Sequence, residues 1–95
     1  MKALTESQIL KKLASISGWM TNKKQTEISK VFQCDSFVSG LAFTAKVTVH
    51  AELLNHHPTI ELSYKNVKVT LTTHDVRGLS IKDFELAKRI DALSN

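Results

Sequence analysis

The chain has one cysteine, one proline and three glycines in 95 residues. Each scarcity excludes something. Cys34 alone cannot close an intrachain disulfide, which suits a reducing compartment, so a cytoplasmic setting is the expectation. Glycines standing singly at 18, 40 and 78 make no phosphate-cradling loop and no G-x-S-x-G nucleophile elbow. The HExxH spacing of zinc peptidases is also missing. No run of about 18 uninterrupted apolar residues exists, so no membrane span is expected. "MKALTESQIL" lacks the apolar stretch of a secretory leader. Thirteen basic residues against nine acidic ones give a net charge of +4. They are dispersed, adjacent only at Lys11-Lys12, Lys23-Lys24 and Lys88-Arg89, with no basic stripe interleaved by aromatics. Nucleic acid is therefore not expected as a partner.

What remains is 42% hydrophobic and 23% charged, the make-up of a globular protein. One domain over residues 1–95 is expected, without repeats or low-complexity segments. Thr5 and Gln8 have capping-box spacing, and Ile9, Leu13 and Ile16 recur at helical spacing, so a helix is expected over 5–16. "TEISKVFQCD" alternates and reads as a strand over 26–34, with residues 18–22 as a short first strand beside it. The stretch 36–57 is too long for a strand and reads as a helix. Phe37, Val38, Leu41, Ala42, Ala45, Val49 and Leu53 form its broad apolar arc, expected to face the sheet. Phe43, Val47 and Leu54 form a narrow second stripe, open to a partner subunit or a covering loop. Pro58 is expected to end this helix. "TIELSY" and "VKVTLTT" alternate around Lys65-Asn66, a hairpin whose turn would use the left-handed tolerance of Asn. Ser80 and Asp83 then open a final helix to about residue 93. A hairpin with segregated helices implies an α+β fold around an antiparallel sheet.

The chemistry gathers at "ELLNHHPTIELSY". Histidine is the side chain that most readily changes charge near neutral pH. On a continuous helix Glu52 and His56 share a face, inside the apolar arc. There they would have to pair or work, unless the last turn frays and His56 faces water. His57 reads equally well as an exposed terminal residue. His74 follows a strand, where functional groups often sit. Asp83 completes a capping box, yet its helical angle places it among Phe84, Leu86, Ala87 and Ile90, where it could orient a histidine. Cys34 and His50 read as structural. Glu52, His56 and His74 could in principle supply a metal, but E-x-x-x-H alone is a weak signal, so no metal is expected.

The full constellation says more than any one histidine. Glu52, His56-His57-Pro58, Tyr64, His74 and Asp83, with "TTHDVRGLSIKD", closely resemble the pterin-4a-carbinolamine dehydratase family. The match extends upstream through Gly18-Trp19, Phe32 and Phe37 and covers most of the chain. The resemblance implies a four-stranded antiparallel sheet with helices packed on one face, assembled as a homodimer or homotetramer. It implies dehydration of 4a-hydroxytetrahydropterin to quinonoid dihydropterin, with no cofactor, downstream of an aromatic amino acid hydroxylase. By similarity His56, His57 and His74 are catalytic, with Glu52, Asn55, Thr73, Asp83 and Trp19 binding or supporting. Two positions depart from the family's frequent pattern: Asn55 and Thr59 stand where acids are common. Some members serve as protein-binding or dimerisation modules, which is the competing reading.

Overall fold

A computed structural model describes residues 1–94. Its elements run α1 (Glu6–Leu13), β1 (Met20–Thr21), β2 (Ile28–Gln33), α2 (Phe37–Leu54), β3 (Thr59–Ser63), β4 (Asn66–Leu71), a 3-10 turn (His74–Val76) and α3 (Ile81–Leu93). The strands form one antiparallel sheet in the order β1-β2-β4-β3. This is the expected α+β fold. Period-two alternation sends Ile28, Phe32, Val67, Val69 and Leu71 into a core shared with Phe84, Leu86, Ala87 and Ile90 of α3. On the opposite parity, the cross-strand row Val31, Lys68 and Glu61 is exposed, so the helices lie on one face.

All three helices begin with a capping box: Thr5/Gln8, Ser36/Ser39 and Ser80/Asp83. Each box satisfies amides that the first helical turn leaves unpaired. The first helix is shorter than its periodicity suggests, ending at Leu13. Ile16 still reaches the core through a turn in which its amide donates to the Leu13 carbonyl at 3.2 Å. Gly18, at φ 85°, adopts the left-handed backbone that leads into β1.

Three further expectations are corrected. The first concerns the faces of α2. Gly40, Val47 and Ala51 are buried and Phe43 and Leu54 half-buried against the sheet, whereas Phe37, Val38, Leu41, Val49 and Leu53 are 53–77% exposed. The narrow stripe packs inward and the broad arc faces out. Shape decides this: a Cβ on Gly40 would lie 2.9 Å from Leu62 Cδ1, so Gly40 marks where the helix backbone and β3 approach closely. The second concerns the end of α2. It stops at Leu54 because Asn55 turns left-handed (φ 49°, ψ 45°), before Pro58 acts. The third is the hairpin turn. Ser63 pairs with Asn66, so Tyr64-Lys65 make the turn and Asn66 opens β4. The helix α2 also reaches a mean hydropathy of 1.2 over 18 residues, enough by length and composition to cross a membrane, where no span was expected. Lys46, His50 and Glu52 interrupt it, and its inward face, with Gly40, Val47 and Ala51 buried, is engaged by the core.

Candidate active site

The site begins with the backbone of Asn55. Asn adopts the left-handed region at lower cost than other residues with a Cβ. The turn lets the amide of Asn55 donate to the Glu52 carbonyl (3.1 Å) and that of His56 to the Ala51 carbonyl (2.9 Å). These bonds satisfy last-turn carbonyls and fold the chain under the helix end. His56 is thereby turned inward, 8% exposed, with Nε2 2.6 Å from Asp83 Oδ1. His57 is turned outward, with Nε2 2.8 Å from Glu52 Oε2. The helical expectation that Glu52 shares a face with His56 fails here, because the left-handed turn ends the helical register first.

Asp83 is completely buried and fully used. Its Oδ1 meets His56, while Oδ2 accepts from the Ser80 amide at 3.0 Å and the Thr73 hydroxyl at 2.7 Å. Both readings left open for this acid hold: it caps α3 and it holds a histidine. Thr73 forms an isolated bridge with Gly78, its amide donating to the Gly78 carbonyl at 2.8 Å. His74 follows at the start of the 3-10 turn and is exposed, with no side-chain hydrogen bond among the described residues. Arg77 closes that turn at φ 54°.

Asn55, His56, His57, Thr73 and His74 line one cavity of about 390 Å³, a size suited to a small ligand. Asp83 stands behind His56 and does not line it; Glu52 stands outside, behind His57. Trp19 is elsewhere. Its indole N–H donates to both carboxylate oxygens of Asp91 at 3.1 Å, and Lys30 joins at 2.9 Å while bonding the Ser17 carbonyl at 2.8 Å. That cluster fastens the segment after α1 to the last turns of α3. Among the described residues, no group of three or more His, Cys, Asp or Glu is placed to hold a metal ion. Cys34 is a half-buried free thiol. His50 is half-buried, and its Nδ1 has no hydrogen-bond partner among the described residues.

Sequence reasoning missed Thr72, Asp75, Val76, Lys82 and Met1 as lining residues. The first three flank His74, and Lys82 precedes Asp83, so adjacency to assigned residues was a usable signal. Met1 gave none. Chemically, the cavity presents three imidazoles, one of them anchored to a buried carboxylate. Such a set can give and take protons.

Comparison with known proteins bears on the family and the fold. The model of the family "Pterin 4 alpha carbinolamine dehydratase" matches residues 2–93. A Roseiflexus sp. (strain RS-1) protein named "Putative pterin-4-alpha-carbinolamine dehydratase" is 41% identical over 90 residues, covering 95% of each chain. One of the same name from Acidobacterium capsulatum is 41% identical over 93 residues, covering 98% of this chain and 99% of that one. Among solved structures, a "transcriptional coactivator/pterin dehydratase from Brucella Melitensis" superposes with a TM-score of 0.94 at 31% identity, covering 99% of this chain and 100% of that one. A "pterin dehydratase-like protein" described as a RuBisCO assembly factor in the alpha-carboxysome gives a TM-score of 0.71 at 25% identity, covering 82% and 90%. The chain belongs to the pterin 4 alpha carbinolamine dehydratase family.

Proposed function

We propose that this protein is a hydro-lyase that converts 4a-hydroxytetrahydrobiopterin to quinonoid dihydropterin and water. The observation that carries the reading is the convergence of His56, His57 and His74, from two separate segments, on one cavity with His56 anchored to buried Asp83. Loss of water needs a base for the N5 proton and an acid for the C4a hydroxyl. His56 directs Nε2 at Asp83 and keeps Nδ1 for the N5 proton; the carboxylate opposes the charge gained. The N5–H electrons form the C4a–N5 double bond as the C4a–O bond breaks. His74, as imidazolium, supplies the proton that turns the departing hydroxyl into water. Each such positioned group contributes about 10² to 10⁴-fold. The elimination involves no external oxidant or reductant, so it calls for no redox cofactor.

His57, steadied by Glu52, orients the pterin ring, and Asn55 offers hydrogen bonds at the cavity wall, while Thr73 supports Asp83 behind it. Asn55 and Thr59 keep hydrogen-bonding ability where family members often have charge, which bears on which pterin is preferred. The substrate would come from an aromatic amino acid hydroxylase in the cytoplasm, a setting supported by the lone free thiol of Cys34. The test is a dehydratase assay with synthetic 4a-carbinolamine. Acceleration over the spontaneous rate is expected, and its absence at micromolar protein would sink the reading.

A second reading rests on the exposed arc of α2. Phe37, Val38, Leu41, Val49 and Leu53 are clustered apolar residues of the kind that protein interfaces cover. The arc, not the inward-facing Phe43/Val47/Leu54 stripe, is the face for a homodimer or homotetramer. It is also the face a protein-binding module would use; the two structural neighbours are described as a transcriptional coactivator/pterin dehydratase and as a RuBisCO assembly factor. Sedimentation of Leu41→Lys beside the parent chain tests self-association. A shift to monomer is expected.

A further inference from the structure

We infer that Thr73 and Ser80 are positioning residues for His56, acting together through Asp83 to fix which ring nitrogen carries the proton. The catalytic consequence rests on the dehydratase reading; the tautomer itself does not. Four groups form one buried chain. The Lys82 amide donates to Ser80 Oγ at 3.3 Å, Ser80 Oγ lies 2.7 Å from Thr73 Oγ1, and Thr73 Oγ1 donates to Asp83 Oδ2 at 2.7 Å. The Ser80 amide reaches the same Oδ2 at 3.0 Å. Ser80 and Asp83 are 0% exposed and Thr73 6%, so water does not compete for these bonds.

The order of donors follows from what each group can do. An amide N–H only donates, so Oδ2 must accept from Ser80. Thr73 has one hydroxyl proton, and its bond to Oδ2 uses it. Thr73 Oγ1 is then an acceptor towards Ser80, so the Ser80 hydroxyl must donate to it. Ser80 in turn accepts the Lys82 amide. Every hydroxyl points the same way, towards the carboxylate. With two donors at Oδ2, the plane of the carboxyl is set and Oδ1 is held 2.6 Å from His56 Nε2 as its acceptor. His56 is therefore the Nε2–H tautomer, and its Nδ1 is the free lone pair. Ser80 thus does more than begin a helix. It holds Thr73 in the rotamer that keeps Asp83 from rotating.

The first experiment needs no variant and no substrate. Two-dimensional ¹⁵N–¹H NMR of the parent chain, at a pH where imidazoles are neutral, reads the tautomer of each histidine. A protonated Nε2 and bare Nδ1 at His56 are expected; the reverse overturns the inference. The second is Thr73→Val, which keeps the shape and removes the hydroxyl. A mixed His56 tautomer is expected, with kcat down about ten- to a hundredfold and KM changed less than kcat. Thr73→Ser should restore both. Ser80→Ala provides the milder case if the valine variant fails to fold, with a smaller tautomer change in the same direction. A folded Thr73→Val or Ser80→Ala protein with the parent's His56 signature overturns the inference. An inactive parent with Nε2–H at His56 removes the dehydratase reading and leaves the hydrogen-bond chain standing.

Discussion

Two neighbouring histidines each meet a carboxylate, and the two pairs are built to opposite ends. His56–Asp83 is 2.6 Å long with side chains 10% and 0% exposed; His57–Glu52 is 2.8 Å long with side chains 59% and 75% exposed. Length barely separates them, whereas solvent does. Around His57 and Glu52 water screens the charges, and such pairs contribute about 0–1 kcal/mol. Around Asp83 no water takes over when a partner is lost, and removing one member of a buried pair costs about 3–5 kcal/mol. The lesson is that a single left-handed residue, Asn55, assigns two chemically identical side chains to two solvents.

That contrast can be broken most severely at Asp83. Asp83→Ala should lose about 3–5 kcal/mol in urea unfolding and most dehydratase activity. A loss below about 1 kcal/mol would show that the buried pair is energetically no different from the exposed one. His74→Ala comes next and should separate chemistry from stability: a rate loss of about 10² to 10⁴-fold with an unfolding midpoint close to the parent's, since this side chain is exposed. Full retained rate would remove His74 from the mechanism. Asn55→Ala attacks the division itself. It should cost about 1–2 kcal/mol, the penalty of a left-handed residue with an ordinary Cβ, and Asn55→Gly should recover most of it. Smallest is Glu52→Gln. Its stability should fall by less than about 1 kcal/mol, an effect that added salt erases. Across the series, the parent's rate should inflect between about pH 5.5 and 8, where histidines exchange protons. A flat profile counts against histidine catalysis.

The sequence carried the elements well because its signals were local. Capping boxes at Thr5 and Ser80 and alternation in β2, β3 and β4 all act within a few residues. The faces of α2 were misread because hydrophobicity counts apolar atoms and does not measure shape. Gly40 and Ala51 add little to such a count, yet they make the contact. His56, His57 and His74 were legible as a set, and the cavity does collect them. The partner of Glu52 was not, since a single positive φ is invisible to a helical wheel. Trp19 was placed near the site by similarity; its bond to Asp91 is a contact between residues 72 positions apart that no local pattern encodes.

The capping box of α3 also has a consequence for how the molecule folds. Ser80 and Asp83 are three residues apart, so their contact forms with little loss of chain entropy and helps to nucleate the helix. The same carboxylate anchors His56. Starting α3 and setting the anchor of the cavity are therefore one local event, early and fast on the scale of chain motions. What remains is the arrival of Thr73 from 10 positions away and His56 from 27. Substitutions at Ser80 should accordingly slow refolding, whereas those at His56 should act chiefly on unfolding, a division of labour in time rather than in space.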